Sequence, residues 1–326
     1  MEAAARALAI GAALILAPLA AKFPASGAAY PTHPIRLIVP YAAAGPTDVI
    51  ARILAQKLST AWGQQIYTEN MPGAGGNTAT GMVARAPPDG YTILVVSTGF
   101  MVNPSMYARL PFDPIKDFAP ITLVAASPNV ISTHPAVPAK TLRDLIDLIK
   151  ANPGKYSFAQ PATGSTPHLA GELFKQKYGL DLVTVPFNGA GLAINSTIGG
   201  HTPIAFTALP PAMSNIKQGK LKGIAVLASK RVTALPDVPT NLEAGIPDLE
   251  SDTLTGIVAP AGTPQDTITR WHSEVVRTVA IPEIRERLET LGFAPVANTP
   301  QEFGERLRTE IARWGKVVRE ANIRAD

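Results

Sequence analysis

One pattern constrains this chain more than any other. A short apolar run, a turn of small residues and a helical period follow one another, and the unit repeats along most of the length. Its first instance is Leu37-Ile38-Val39-Pro40-Tyr41-Ala42-Ala43-Ala44-Gly45-Pro46-Thr47-Asp48. Leu37 to Val39 is apolar and β-rich, as a buried strand requires. Gly45 can cap a helix, Pro46 suits its first position, and Asp48 falls where a capping-box acid would sit. Ile50, Ile53, Leu54 and Leu58 then recur at helical spacing. Such a unit leaves free backbone N–H groups at the mouth of the helix, and together with the helix dipole these attract anions.

The same device recurs downstream. Ile66 to Glu69 opens into Gly73-Ala74-Gly75-Gly76-Asn77-Thr78, and Tyr91 to Val96 ends in Ser97-Thr98-Gly99. Tyr156 to Ala159 empties into Gly164-Ser165-Thr166-Pro167-His168, and Leu182 to Val185 into Phe187-Asn188-Gly189-Ala190. Thr141 with Asp144, and Thr299 with Glu302, read as capping boxes. Ile121 to Ala126, Val130 to Thr133, Ile204 to Thr207, Gly223 to Ala228 and Thr253 to Val258 complete the strands, and the last quarter is helical. Strands alternating with helices predict mostly parallel sheets. The length of 326 residues suits two of them, with crossings near Phe100 to Asn103 and Ala228 to Arg231. Ligands of such sheets bind beyond the carboxyl ends of the strands.

Composition narrows the classes. At 46% hydrophobic and 17% charged residues the chain holds a large core. Cysteine is absent, which excludes disulfides, thiol nucleophiles and thiolate metal sites. The net charge of +4 is not gathered into a basic block. Arg285, Arg287, Arg306, Arg308 and Arg313 alternate with acids on helix faces, so no nucleic-acid partner is expected. Arg6, the apolar run Ala7 to Ala21 and the small residues Ala25 to Ala29 have the form of a secretory signal cleaved near Ala28 or Ala29. That run is shorter than the roughly twenty residues that span a bilayer.

Enzyme chemistry finds little support. There is no P-loop, and the glycine-rich run at Gly73 carries Thr78 where a dinucleotide fingerprint needs its third glycine. No Gly-x-Ser-x-Gly elbow occurs. Ser165 and His168 lie three apart, yet no acid in their loop could orient the imidazole. The five histidines are scattered without metal-ligand spacing, and neither metal nor cofactor is expected. What remains is a set of polar, uncharged turns at strand ends, rich in backbone donors and able to hold a carboxylate.

An ordered set of stretches then matches a known family from Pro34 nearly to the end. These include Pro34-Ile35-Arg36-Leu37-Ile38-Val39-Pro40-Tyr41, Glu69-Asn70-Met71-Pro72-Gly73-Ala74-Gly75-Gly76-Asn77 and Asn103-Pro104-Ser105-Met106-Tyr107. Gly164-Ser165-Thr166-Pro167-His168-Leu169-Ala170-Gly171-Glu172, Leu235-Pro236-Asp237-Val238-Pro239-Thr240 and Ala259-Pro260-Ala261-Gly262-Thr263-Pro264 belong to it as well. The chain resembles the periplasmic receptors of tripartite tricarboxylate transporters, the TctC-like or Bordetella uptake gene (Bug) proteins. The resemblance implies an α/β, two-lobed Venus-flytrap fold that closes on a small carboxylated solute and delivers it to a membrane permease. Residues 1–30 would be the signal, 31–102 with 229–326 one lobe, and 103–228 the other, the C-terminal helices partly crossing over.

The expected cleft has Tyr41, Ala43, Gly45, Thr47 and Asp48 on one side and Ser165, Thr166 and His168 on the other, with Ser97, Thr98 and Asn188 nearby. The family's first loop is usually richer in glycine than Ala43-Ala44-Gly45-Pro46. It often has Tyr-Lys-Gly where this chain has Phe187-Asn188-Gly189, and Phe-Asp-Asn where it has Phe206-Thr207-Ala208. The expected protein is a monomeric periplasmic receptor and not an enzyme. A ligand sensor docking a signalling partner is the alternative, and a hydrolase using Ser165 and His168 a weaker one.

Overall fold

A computed structural model describes residues 30–43 and 45–325. The segment read as an export signal and Ala44 lie outside these residues. Residues 31–326 form one compact unit.

The first sheet is built by β1 (Ile35–Val39), β2 (Ile66–Asn70) and β3 (Thr92–Ser97), which run parallel and are joined through α1 (Pro46–Trp62) and α2 (Asn77–Val83). Leu37, Ile38 and Val39 are fully buried, as the continuous apolar run demands. The second sheet repeats the arrangement with β5 (Ser157–Gln160), β6 (Val183–Pro186) and β7 (Ile204–Ala208), also mutually parallel. Here α5 (Thr166–Tyr178) and α6 (Ala190–Ile198) make the connections. In each sheet the small-residue turns therefore lie at the carboxyl ends of the parallel strands.

Two strands join the sheets. β4 (Phe118–Thr133) is one strand of 16 residues where the sequence suggested two. Its first part pairs antiparallel with β9 (Asp252–Pro260), and its last part, from Asn129, with β7 and with β8 (Lys222–Val226). The order is β2-β1-β3-β9-β4-β7-β5-β6. The sheets are thus mixed, parallel where helices connect the strands and antiparallel around β4 and β9, because the chain passes out along one strand and back along the other. The passage lies at Pro128–Asn129 outward and at Ser251–Asp252 on return. Both points lie downstream of the crossings expected from the sequence near Phe100 to Asn103 and Ala228 to Arg231. α3 (Gly99–Met106) stays with the first sheet through Phe100 and Met101, and residues 232–249 pack on the second through Leu235, Val238, Ile246 and Leu249.

The last helix, α10 (Pro300–Glu320), bears on both halves. Thr299 and Glu302 form its capping box, as Thr141 and Asp144 do for α4 (Leu142–Lys150). Phe303 and Leu307 bury against the first sheet. About two to three turns on, Trp314, Val317 and Val318 pack with Val102 and Met106 of α3 and Leu169 of α5. α8 (Gln265–Ala280) and α9 (Pro282–Thr290) precede it, followed by the short β10 (Ala294–Pro295), which pairs with β4.

Candidate functional site

The turn after β1 is anchored from behind. Gly45 caps α1 with an extended backbone and Pro46 takes the first turn, but no side chain caps the helix. Asp48 lies in the first turn of α1, where the sequence placed a capping-box acid, and it also reaches across to the neighbouring strand. Its buried carboxylate accepts hydrogen bonds from Arg52 Nε at 2.9 Å and from Asn70 Nδ2 at 2.9 Å. Asn70 Nδ2 also donates to the Tyr41 carbonyl at 3.1 Å, and Asn70 Oδ1 accepts from Arg52 at 2.9 Å. A single carboxylate thereby fastens the β1–α1 turn to the end of β2. The charge-assisted bond to Arg52 compensates its burial, so Asp48 positions the turn and presents no bare anion to a ligand. Thr47 is buried beside it, Gly45 is half-buried and Ala43 is exposed.

Tyr41 leans toward the end of β3. Its hydroxyl sits beside the Ser97 backbone. Burial raises the phenol well above the ordinary tyrosine range, and the hydrogen bond to the Ser97 backbone lowers it in part. A Cβ on Gly99 would lie 3.0 Å from that hydroxyl, so the approach depends on glycine there. Ser97 and Thr98 are buried, and Thr98 Oγ1 accepts the Leu254 N–H at 3.2 Å. Asn103 Nδ2 donates to the Gly75 carbonyl at 3.1 Å and to Asn77 Oδ1 at 2.7 Å. This pins the loop before α2, where Ala74, Gly75 and Gly76 take left-handed φ values of 48°, 64° and 94°.

On the second sheet the turn before α5 is equally constrained. Gly164 has φ +79°, and a side chain on it would collide with the sulfur of Met106. Ser165 caps α5, its hydroxyl accepting the His168 N–H at 3.4 Å. The Gly164 N–H donates to His168 Nδ1 at 3.0 Å. That bond requires Nδ1 to be an unprotonated acceptor, so the ring proton of neutral His168 is on Nε2, 3.7 Å from Glu172 Oε1. Burial lowers the affinity of the ring for a second proton, Glu172 raises it and Lys175 lowers it. Ser165 and the imidazole are both engaged, but not with each other, so the nucleophile–base pair a hydrolase would need is not assembled.

Thr166 is buried, and its hydroxyl lies 2.8 Å from that of Thr253 in β9. Thr253 in turn donates to Asn129 Oδ1 at 3.1 Å, and Asn129 donates to Ser251 at 2.7 Å. Leu254, next to Thr253, is the residue whose N–H meets Thr98. The opening of β9 thus links the strand-end turns of the two sheets, bringing Tyr41, Ser97 and Thr98 into one chain of contacts with Thr166. Asn188 is exposed in a neighbouring turn. That turn is tied to the end of β5 by Phe187 N–H to the Gln160 carbonyl at 2.9 Å and Gly189 N–H to the Pro161 carbonyl at 2.7 Å.

Sequence reasoning missed Asn70, Asn103, Thr253 and Gln160. The first two stand in stretches that carried the family resemblance and could have been singled out there as amides able to bond backbone groups. Thr253 carried no local signal, because its partners come from distant parts of the chain. Gln160 is fully buried, and both ends of its side-chain amide are without a hydrogen-bond partner among the described residues. Two cavities lie elsewhere: one of about 370 Å³ beside the β4–β9 passage, lined by Lys230, Glu250 and Asp252 among others, and one of about 290 Å³ between α3 and the end of α10. Neither includes a residue that the sequence placed in the cleft.

Known proteins match this arrangement closely. The family described as tripartite tricarboxylate transporter family receptor matches residues 50–323. BugT of Bordetella pertussis is 34% identical over 303 residues, covering 92% of this chain and 93% of its own length. Among solved structures, an R. palustris protein determined with adipate superposes with TM-score 0.84 at 32% identity, covering 90% of this chain and 99% of the other. MatC of Rhodopseudomonas palustris, with bound malate, superposes with TM-score 0.79 at 31% identity, covering 89% and 100%. The periplasmic binding protein BugD gives 0.80 at 33%, covering 90% and 99%. With the family match over residues 50–323 and a fold shared along about nine-tenths of the chain, this chain belongs to the tripartite tricarboxylate transporter family of periplasmic receptors.

Proposed function

We propose that this receptor captures a small organic acid between the strand-end turns of its two sheets and hands it to the membrane permease of a tripartite transporter. The observation that carries the reading is the junction at β9. There, turns from both sheets meet through Thr98–Leu254 and Thr166–Thr253; α5 opens at Thr166 itself, and the turn before α1 reaches the junction through Tyr41 and the Ser97 backbone. Uncharged turns of this kind bind a carboxylate through backbone N–H groups without a full positive charge. Relatives solved with adipate and malate are consistent with that ligand class. The protein would be exported by way of residues 1–30 and act as a monomer, its lobes closing about the β4 and β9 strands.

A thermal-shift screen of the purified protein against mono-, di- and tricarboxylates tests this. An acid present at a hundred times its dissociation constant should add about 2.7 kcal/mol of stability, and it should be recovered chemically unchanged. If no carboxylate stabilises the protein while neutral solutes do, the reading is wrong.

A further inference from the structure

His168 is one of the residues expected in the cleft, and its ring is engaged within its own turn and helix. Nδ1 accepts the Gly164 N–H at 3.0 Å, four residues back across the β5–α5 turn. Gly164 takes a left-handed φ open to glycine, and Met106 leaves no room for a side chain there, so this bond fastens the one position of the turn that only glycine can fill. On the other side of the ring, Nε2 faces Glu172 at 3.7 Å. Glu172 is itself held by Lys175 Nζ at 3.0 Å and by the Thr184 hydroxyl of β6. The ring therefore has the Glu172 carboxylate, paired with Lys175, on its Nε2 side, and its Nδ1 lone pair accepts from the turn. We infer that His168 is a positioning residue: its neutral ring, protonated on Nε2, holds the β5–α5 turn in shape, and protonation of Nδ1 releases that turn. The inference rests on the reading of this turn as one wall of the carboxylate cleft.

The physical argument is one of donor and acceptor. A doubly protonated imidazole has no acceptor left, so the Gly164 N–H would face an N–H and the two must separate. A side chain lacking the acceptor would leave the same buried amide unpaired. The charged groups facing the ring are Glu172, which favours the cation, and Lys175, which opposes it, both on α5. β6 offers the neutral Thr184 hydroxyl, and α3 covers Gly164 with the uncharged Met106. Because burial outweighs the pull of Glu172, the ring stays neutral at pH 7 and charges only below the ordinary histidine value. The expected behaviour is therefore a turn that is closed near neutrality and loosens in acid.

Nitrogen NMR of the histidine-labelled full protein, with hydrogen exchange at Gly164, tests this without a ligand. Between pH 8 and 5, wild type should show the Nε2-protonated tautomer, with Gly164 protection lost as the ring titrates. His168→Ala should speed Gly164 exchange about tenfold at pH 8, the loss of one hydrogen bond. His168→Asn, whose Oδ1 can take the place of Nδ1, should restore protection and abolish its dependence on pH. An Nδ1-protonated ring, or Gly164 exchange unchanged in the Ala variant, overturns the proposal. Titration of malate and adipate into the same proteins separates the two readings. If neither acid binds wild type although His168 titrates with Gly164, the carboxylate reading is weakened and the turn device stands. If they bind with the same affinity in wild type and His168→Ala from pH 8 to 5, the device is irrelevant to capture and the proposal fails.

Discussion

At the scale of single residues, the strand-end turns are held by side chains that bond other groups of the protein. Asn70 supports the β1–α1 turn by bonding the Tyr41 carbonyl, Asp48 and Arg52 at once. Asn70→Ala should cost about 1–3 kcal/mol, since it takes a partner from a buried carboxylate, and a drop in melting temperature measures it. Thr166 allows a sharper separation. Ser165 already has the extended backbone that a following proline requires (φ −67°, ψ 155°), so Thr166→Pro should fold. It removes one N–H at the mouth of α5 together with the Thr253 hydrogen bond, whereas Thr166→Val removes only the latter. If that N–H holds the carboxylate, the proline variant should bind acid about tenfold more weakly than the valine variant by calorimetry. Equal affinities would remove the N–H from the site.

At the scale of elements, the opening of β9 carries the most consequential placement. Asp252 pairs with Pro128 where the chain returns to the first sheet. Burial lifts its carboxyl from 3.8 to about 6; Arg306 and Arg313 lower it in part, while Glu310 and Glu250 reinforce the rise. The folded state therefore keeps a proton that the unfolded chain has already released, and stability falls as the pH rises between about 4 and 6. Asp252→Asn should relieve this. It should raise the melting temperature at pH 8 by the equivalent of about 1–3 kcal/mol and leave it unchanged near pH 4. A gain of equal size at both pH values would mean that charge burial is not the cause. The cavity of about 370 Å³ that Asp252 shares with Lys230 and Glu250 lies at the same passage.

At the scale of the whole molecule, two mixed sheets are joined by β4 and β9, with α10 lying across the junction from Phe303 on the first sheet to Trp314 beside α3 and α5. A change in the angle between the sheets has to be absorbed near Pro128–Asn129 and Ser251–Asp252. It must also slide or carry the Trp314 end of α10. Small-angle scattering with and without a saturating acid should show a smaller radius of gyration on binding, if closure accompanies capture. Trp314→Ala, which empties a fully buried position, should cost about 3–5 kcal/mol and change the scattering of the free protein more than that of the bound one.

Much of this was legible in the chain itself. Local patterns depend on neighbours a few residues apart, so the buried β1 run, the Pro46 start of α1, the Thr141 and Thr299 capping boxes and the Ser165 cap could all be read from the sequence. The ordered family stretches indicated the fold class and the receptor reading in the same way. Tertiary structure alone decided where hydrogen bonds with distant partners go. It tied Asp48 to Asn70 and Arg52 and the His168 ring to Gly164, joined two expected strands into β4 and set the passage between sheets at Asn129 and Ser251. Most of these depend on residues far apart in sequence, such as Asp48 with Asn70 or Thr166 with Thr253, and no local period encodes such a meeting.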